Sequence, residues 1–325
     1  MTPLRRVLVR VIELILTILV IATINFMLVH AAPGDPAAVM AGQSGATDEK
    51  FLIQVRAEYG LDKPYIVQLG TYLNKVMHFD LGYSFRQRRE VSSLIMERLG
   101  PTLLLTLSAL IVSVLGGIAF GAIAGVRSGR WSDTLISLAA LLLYATPVFW
   151  LGLMLALVFS IQLEWLPAFG YASIRAATFS TWEYILDVAR HLVLPVISLA
   201  AIYMAVYARL MRASIIEVSH EDHVKTARAK GLTEGRILRK HMLRNAAIPV
   251  VTFAGLQAGA MIGGAVVVET VFSWPGLGRL TFEAVTQRDY PILLGLFLVM
   301  SVLVIVVNFL TDVVCGLIDP RIAAR

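Results

Sequence analysis

Long apolar runs alternate with short polar segments along the whole chain, and that alternation sets the expected elements. A spanning helix takes about 20 consecutive apolar residues to cross a hydrocarbon core. On this measure the chain predicts six spans, at about residues 8–31, 102–126, 134–161, 191–212, 247–268 and 291–318. Arg5, Arg6 and Arg10 precede the first run and orient its N-terminus inward. The run exceeds the usual apolar core of a signal peptide, so it reads as an uncleaved span, although Ala31-Ala32 would suit cleavage. Pro101-Thr102 open the second span, and Pro147 kinks the third. Six crossings return Asp319-Pro320-Arg321 to the inside.

The polar segments carry the remaining organisation. Residues 32–98 hold eight Lys and Arg against eight Asp and Glu, a net of zero. Pro33-Gly34-Asp35-Pro36 stops the first helix. Phe51, Val55 and Tyr59 then form a stripe behind the start signal Thr47-Asp48-Glu49, ended by Gly60. Ile66, Leu69, Leu73 and Val76 form a second stripe behind Pro64. The chain thus divides into 1–31, a basic segment and first span; 32–98, a small external helical subdomain; and 99–325, a five-helix core. Residues 162–190 make a second external loop. Residues 213–246 form a basic cytoplasmic loop, with eight Lys and Arg from Arg212 to Arg244 against four acids.

Within that loop the pattern predicts two short helices and a tight turn. Ser219 caps the first helix, with Asp222 three residues on. Lys230 falls in its last turn, and Gly231 takes the left-handed position that ends it. Thr233 caps the second helix, with Glu234 in its first turn. Leu238, Met242 and Ala246 share one face; Arg236, Lys240 and Arg244 share another. Three readings follow: a loop whose charge only fixes topology, a DNA-binding helix-turn-helix held against the bilayer by short tethers, and a docking element for a cytoplasmic partner. The capped helices and turn glycine are more structure than topology requires, which favours docking.

Composition narrows the chemistry. The chain of 325 residues is 58% hydrophobic and 15% charged, against a soluble-domain norm of roughly half and a quarter. The net charge of +6 is a topology signal, and the single cysteine, Cys315, allows no internal disulfide. No phosphate-cradling loop and no metal-ligand spacing occur. Glu13, Glu269 and Asp312 lie near span ends, away from the mid-membrane positions an ion-coupled carrier uses. Gly117, Gly121 and Gly125 share a face of the second span, and Gly255, Gly259 and Gly263 echo them in the fifth. Such stripes let helix backbones approach closely, and packing within the chain is preferred to a pore lining. Asn308 and Asp312 share a face and are expected to pack against other helices. Trp274-Pro275-Gly276 reads equally as an interfacial anchor or part of an outer gate.

Several of these stretches resemble one family. Lys225-Thr226-Ala227-Arg228-Ala229-Lys230-Gly231 resembles the coupling loop of ABC importer permeases, although of the usual Glu-Ala-Ala only the second alanine is kept. The longer spacing to Arg244-Asn245-Ala246 and Pro249 resembles the dipeptide, oligopeptide and nickel permeases. So do Pro33-Gly34-Asp35-Pro36, Gly60-Leu61-Asp62-Lys63-Pro64, Gln68, Asp80-Leu81-Gly82 with Ser84, and Leu166-Pro167-Ala168-Phe169-Gly170. The family's Phe-Ser-x-Pro-Gly-x-Gly segment is matched by Phe272, Pro275, Gly276 and Gly278, whereas Phe79 stands where a glycine is usual. The resemblance implies an all-α integral membrane protein of the type I ABC importer permease fold, a transporter subunit and not an enzyme. It implies a second permease, two cytoplasmic ATPases that bind ATP and Mg, an external solute-binding protein, and no cofactor in this chain. It implies a bacterial inner membrane and a peptide cargo, with nickel, glutathione or another small solute as alternatives. An ion-coupled secondary transporter and a membrane-anchored regulator remain the other classes.

Overall fold

The computed structural model describes residues 12, 15–27, 56 and 62–318, with the backbone alone at 312 and 314–318. The expected turn at 33–36, the stripe at 51–59 and Asp312 therefore lie outside the described residues or side chains. In chain order the elements are α1 (Ile15–Met27), α2 (Tyr65–Met77), β1 (Tyr83–Ser84), β2 (Arg89–Glu90), α3 (Val91–Val126), α4 (Trp131–Ala145) and α5 (Val148–Ala156, continued as a π-helix to Gln162). A 3₁₀ turn, Ile174–Thr178, precedes α6 (Thr181–Ser219), α7 (Asp222–Ala229), α8 (Glu234–Val271, π-helical over Leu238–Met242), α9 (Leu277–Gln287) and α10 (Tyr290–Ile318).

Among the described residues, α3, α6, α8 and α10 are long and apolar enough to cross a membrane. The expected third span is not one kinked helix. It is the pair α4 and the α5–π stretch, bent by 105° at Pro147. Thr146, forced into the extended region (φ −83, ψ 127) by the proline that follows it, ends α4, and Pro147 starts α5 from its N-cap. By contrast α3 runs through Pro101, α6 through Pro195 and α8 through Pro249. Pro101 does not open the second span as expected, because the helix has already started at Val91.

Helix limits elsewhere exceed the expected spans. The fourth begins at Thr181, inside the presumed external loop, because Ser180 and Glu183 form a capping box: Glu183 N–H donates to Ser180 Oγ, and Ser180 N–H to Glu183 Oε2 at 2.8 Å. The fifth begins at Glu234, so the second short helix of the basic loop is the start of α8.

The chain forms two compact units. In the first, residues 1–100 with 279–305, β1 and β2 pair antiparallel, Tyr83 with Glu90 and Ser84 with Arg89. The hairpin is pinned by a buried polar pair: Ser84 Oγ donates to Asp289 Oδ2 at 2.5 Å, and both residues are fully buried. Phe79, at the family's glycine position, has φ +58 and an exposed ring.

The second unit, residues 101–278 with 306–325, is built on α6 and α8. One apolar cluster gathers Leu194, Leu199, Met261, Val268, Phe272 and Trp274. The other gathers Tyr207, Met211, Ile215, Val224, Ile237 and Met242. Leu110 and Tyr203 pack against both, which makes one continuous apolar spine.

Candidate functional site

Two places hold the residues that the sequence singles out, one at each end of α8. That helix has 38 residues, roughly 57 Å at 1.5 Å per residue.

At the end of α8 that begins with Glu234 sits α7. Val224 and Ala227 are buried in the spine, and Leu232 packs on it. Lys225, Thr226, Arg228, Ala229, Lys230 and Gly231 are exposed, as are Arg244, Asn245 and Pro249 on α8. Gly231 (φ +76) closes α7: its N–H donates to Arg228 O at 2.9 Å, and Leu232 N–H to Ala227 O at 3.3 Å, the paired bonds of a Schellman end. Ser219 does not cap α7. It ends α6, its hydroxyl donating to Ile216 O at 2.7 Å, and Glu221 takes the N-cap position without a side-chain bond. Thr233 stands at the expected cap, also without a side-chain bond.

The cations expected to face outward are partly committed within the chain. Lys225 Nζ lies 2.9 Å from Asp222 Oδ1, and this hydrogen bond draws the Asp222 carboxyl below its usual range. Arg228 bonds Glu234 through Nε at 2.8 Å and through Nη2 at 3.3 Å, and reaches Ser219 O at 3.4 Å. The Glu234 bond holds the Arg228 guanidinium above its ordinary pKa, and the side chain staples the loop's two ends. Asn245 Nδ2 lies 3.5 Å from His223 Nε2, which joins α8 to α7. Arg236, Arg239 and Lys240 line a shallow surface hollow with Thr233 and Gly235.

At the other end of α8 the helix closes on Phe272–Gly278. Ser273 (φ +53) takes the left-handed position; its N–H donates to Thr270 O at 3.3 Å, and Trp274 N–H to Glu269 O at 2.8 Å. Trp274 is fully buried, its Nε1–H donating to Pro101 O at 2.9 Å and its ring 4.8 Å from that of Tyr171. That burial corrects the interfacial-anchor expectation, since an anchor ring lies exposed at the bilayer edge. The Leu166–Gly170 loop arrives here too, with Gly170 N–H donating to Phe272 O at 2.8 Å. A Cβ on Gly152 would stand 3.1 Å from the Phe272 ring. Pro275 is half-buried, and Gly276 and Gly278 are buried.

The two glycine stripes differ. A Cβ on Gly117 would strike Tyr207, one on Gly121 the Ala208 carbonyl and Met211 Cβ, and one on Gly125 Ile215 Cβ at 2.7 Å, so α3 lies backbone-close on α6. Gly259 is buried and Gly255 half-buried, but a Cβ on Gly263 would meet nothing within 4 Å among the described residues; Gly264 faces Tyr203 and Leu199 instead. Asn308, expected to pack against other helices, is exposed on this chain. Arg212 is held by Asp133 through Nε at 2.5 Å and Nη2 at 2.8 Å, while Arg209 lies 4.8 Å over the Tyr144 ring. Sequence reasoning passed over Asp133, Asp289 and Glu269 as functional residues.

Comparisons with known proteins agree along the chain. Residues 117–324 match the family "binding-protein-dependent transport system inner membrane component", and residues 3–106 match its N-terminal companion. The glutathione transport system permease protein GsiC of Salmonella paratyphi A is 42% identical over 97% of this chain and 98% of its own length. That of Escherichia coli K12 is 41% identical over 96% and 97%. Among solved structures, the MetNI methionine ABC transporter in an inward-facing conformation covers 70% of this chain and 96% of its own matched chain, with TM-score 0.55 and 16% identity, which supports the fold alone. An ion-coupled carrier and a membrane regulator are thereby set aside. The chain belongs to the binding-protein-dependent transport family and is a membrane-spanning permease subunit of an ABC importer, a transport component and not an enzyme.

Proposed function

We propose that the chain pairs with a second, homologous permease to form the path for a small peptide-like solute, with glutathione favoured over dipeptides, oligopeptides and nickel complexes. Two cytoplasmic ATPases, which bind ATP and Mg, drive the path, and an external solute-binding protein feeds it. The chain lies in a bacterial inner membrane with both termini cytoplasmic. Support for glutathione is the identity of 41–42% to permeases named for its transport. The test is uptake of labelled glutathione by cells with and without the gene, competed by dipeptides and by nickel. Uptake of labelled dipeptide with no glutathione uptake overturns the preference.

The observation that carries the coupling role is the rooting of α7 in the spine by Val224 and Ala227, beneath an exposed face of Lys225, Thr226, Arg228, Ala229 and Lys230. A helix fixed on one side and bare on the other passes a push from a docked partner into α6 and α8. Gly231→Val forces a β-branched residue to positive φ at a cost of about 1–2 kcal/mol. The variant is expected to insert and to hold the second permease, yet to bind ATPase weakly and to lose uptake. Full uptake with normal ATPase content overturns the coupling role. The segment Phe272, Trp274, Pro275, Gly276 and Gly278 is the outer end of the path in this reading.

A further inference from the structure

The segment after α8 closes over a carboxyl group that neither ATPase docking nor an open path explains. Glu269, two residues before the end of α8, is fully buried. Thr102 Oγ1 donates to its Oε1 at 2.7 Å, and the same hydroxyl accepts the Leu277 N–H at 2.7 Å. Thr102 is itself buried, so one hydroxyl joins α3, α8 and the first residue of α9. The carboxyl also fills the space over two glycines. A Cβ on Gly276 would fall on it, and one on Gly278 would lie 2.9 Å from Oε2. Its backbone carbonyl holds Trp274.

The arrangement has a physical logic. The residue before α9 is Gly276, which has no side chain to cap the helix. A negative group at a helix N-terminus is favourable, and here it is delivered from the neighbouring helix. Burying a carboxyl is costly unless it is bonded, and an apolar side chain would fill the space at lower cost. What the carboxyl adds is a directional tie.

We propose that Glu269 is the positioning residue of this outer segment: through Thr102 it locks 272–278 to the end of α8 and to α3 at Thr102, so that they move as one piece when the importer meets its loaded solute-binding protein. The proposal rests on reading 272–278 as the outer end of the path.

The test uses the full complex of both permeases and both ATPases in lipid nanodiscs. Its binding protein is loaded with glutathione or a dipeptide, whichever the unaltered complex imports. Glu269→Gln keeps the size but turns an acceptor into a donor against the start of α9. Basal hydrolysis and ATPase co-purification should stay unchanged. Stimulation of hydrolysis by the loaded binding protein should fall roughly tenfold, the scale of one buried bond to a charged group. Thr102→Val should lose less, and Thr102→Ser should restore the response. Unchanged stimulation in both Glu269→Gln and Thr102→Val overturns the proposal, as does a serine variant no better than valine. If neither Glu269→Gln nor Thr102→Val assembles, Glu269 serves folding alone and the proposal falls. An unaltered complex that hydrolyses ATP but ignores its binding protein overturns the reading of the outer end, and the role of Glu269 with it.

Discussion

Single residues carry identifiable strain and vacancy. Ser273 occupies the left-handed position that ends α8, where glycine is the unstrained choice. Ser273→Gly should raise stability by about 1 kcal/mol, read as a higher melting temperature of the purified complex. Tyr207 is fully buried on the spine, and its hydroxyl finds no hydrogen-bond partner among the described residues. Tyr207→Phe removes a buried unsatisfied group and should be neutral or stabilising by up to about 1–3 kcal/mol in the same assay; marked destabilisation would reveal a missed partner. Gly231 was legible from sequence because a turn glycine between two short helical runs has one backbone use. Glu269 was not: its role depends on Thr102, 167 positions away, which no local pattern relates to it.

At the scale of elements, prolines were the least legible signs. Pro101, Pro195 and Pro249 sit inside continuous helices, whereas Pro147 turns the chain through 105°. The sequence around each is apolar, and tertiary packing decides between a tolerated proline and a corner. The two glycine stripes looked alike for the same reason. The first is pressed against a partner backbone, whereas Gly263 of the second meets nothing within 4 Å among the described residues, so Gly121→Ala should cost more than Gly263→Ala, by roughly 1–3 kcal/mol for a core that must overpack. Comparing the yield of folded protein for the two variants tests this. The rooting of α7 gives another expectation. Val224→Asp puts a carboxylate into the spine and should detach the helix, abolishing uptake at normal permease abundance. Preserved uptake would mean that α7 works without its root.

For the whole molecule, the long-range plan was readable because hydropathy and charge asymmetry act over tens of residues. Span limits were not, because α6 and α8 extend beyond the apolar runs that announced them. Asn308 remains exposed on α10. An amide facing hydrocarbon is unfavourable, so the second permease should cover it. A cysteine at 308 should resist lipid-soluble thiol reagents in the assembled complex and react in the isolated chain. Equal reactivity would place that face against lipid.

The corner at Pro147 has one more consequence. In an unbroken helix the amide of residue 147 would serve the carbonyl of Leu143, and proline has no such hydrogen to give. The extended Thr146 leaves the neighbouring carbonyls without helical partners as well. Hydrocarbon offers nothing in exchange, so an irregular backbone at that depth persists only beside protein donors or moisture. Ala145 and Pro147 are exposed on this chain. Whatever covers the bend must therefore bring hydrogen-bond donors for its carbonyls, a requirement set by one imino acid and by no charged side chain.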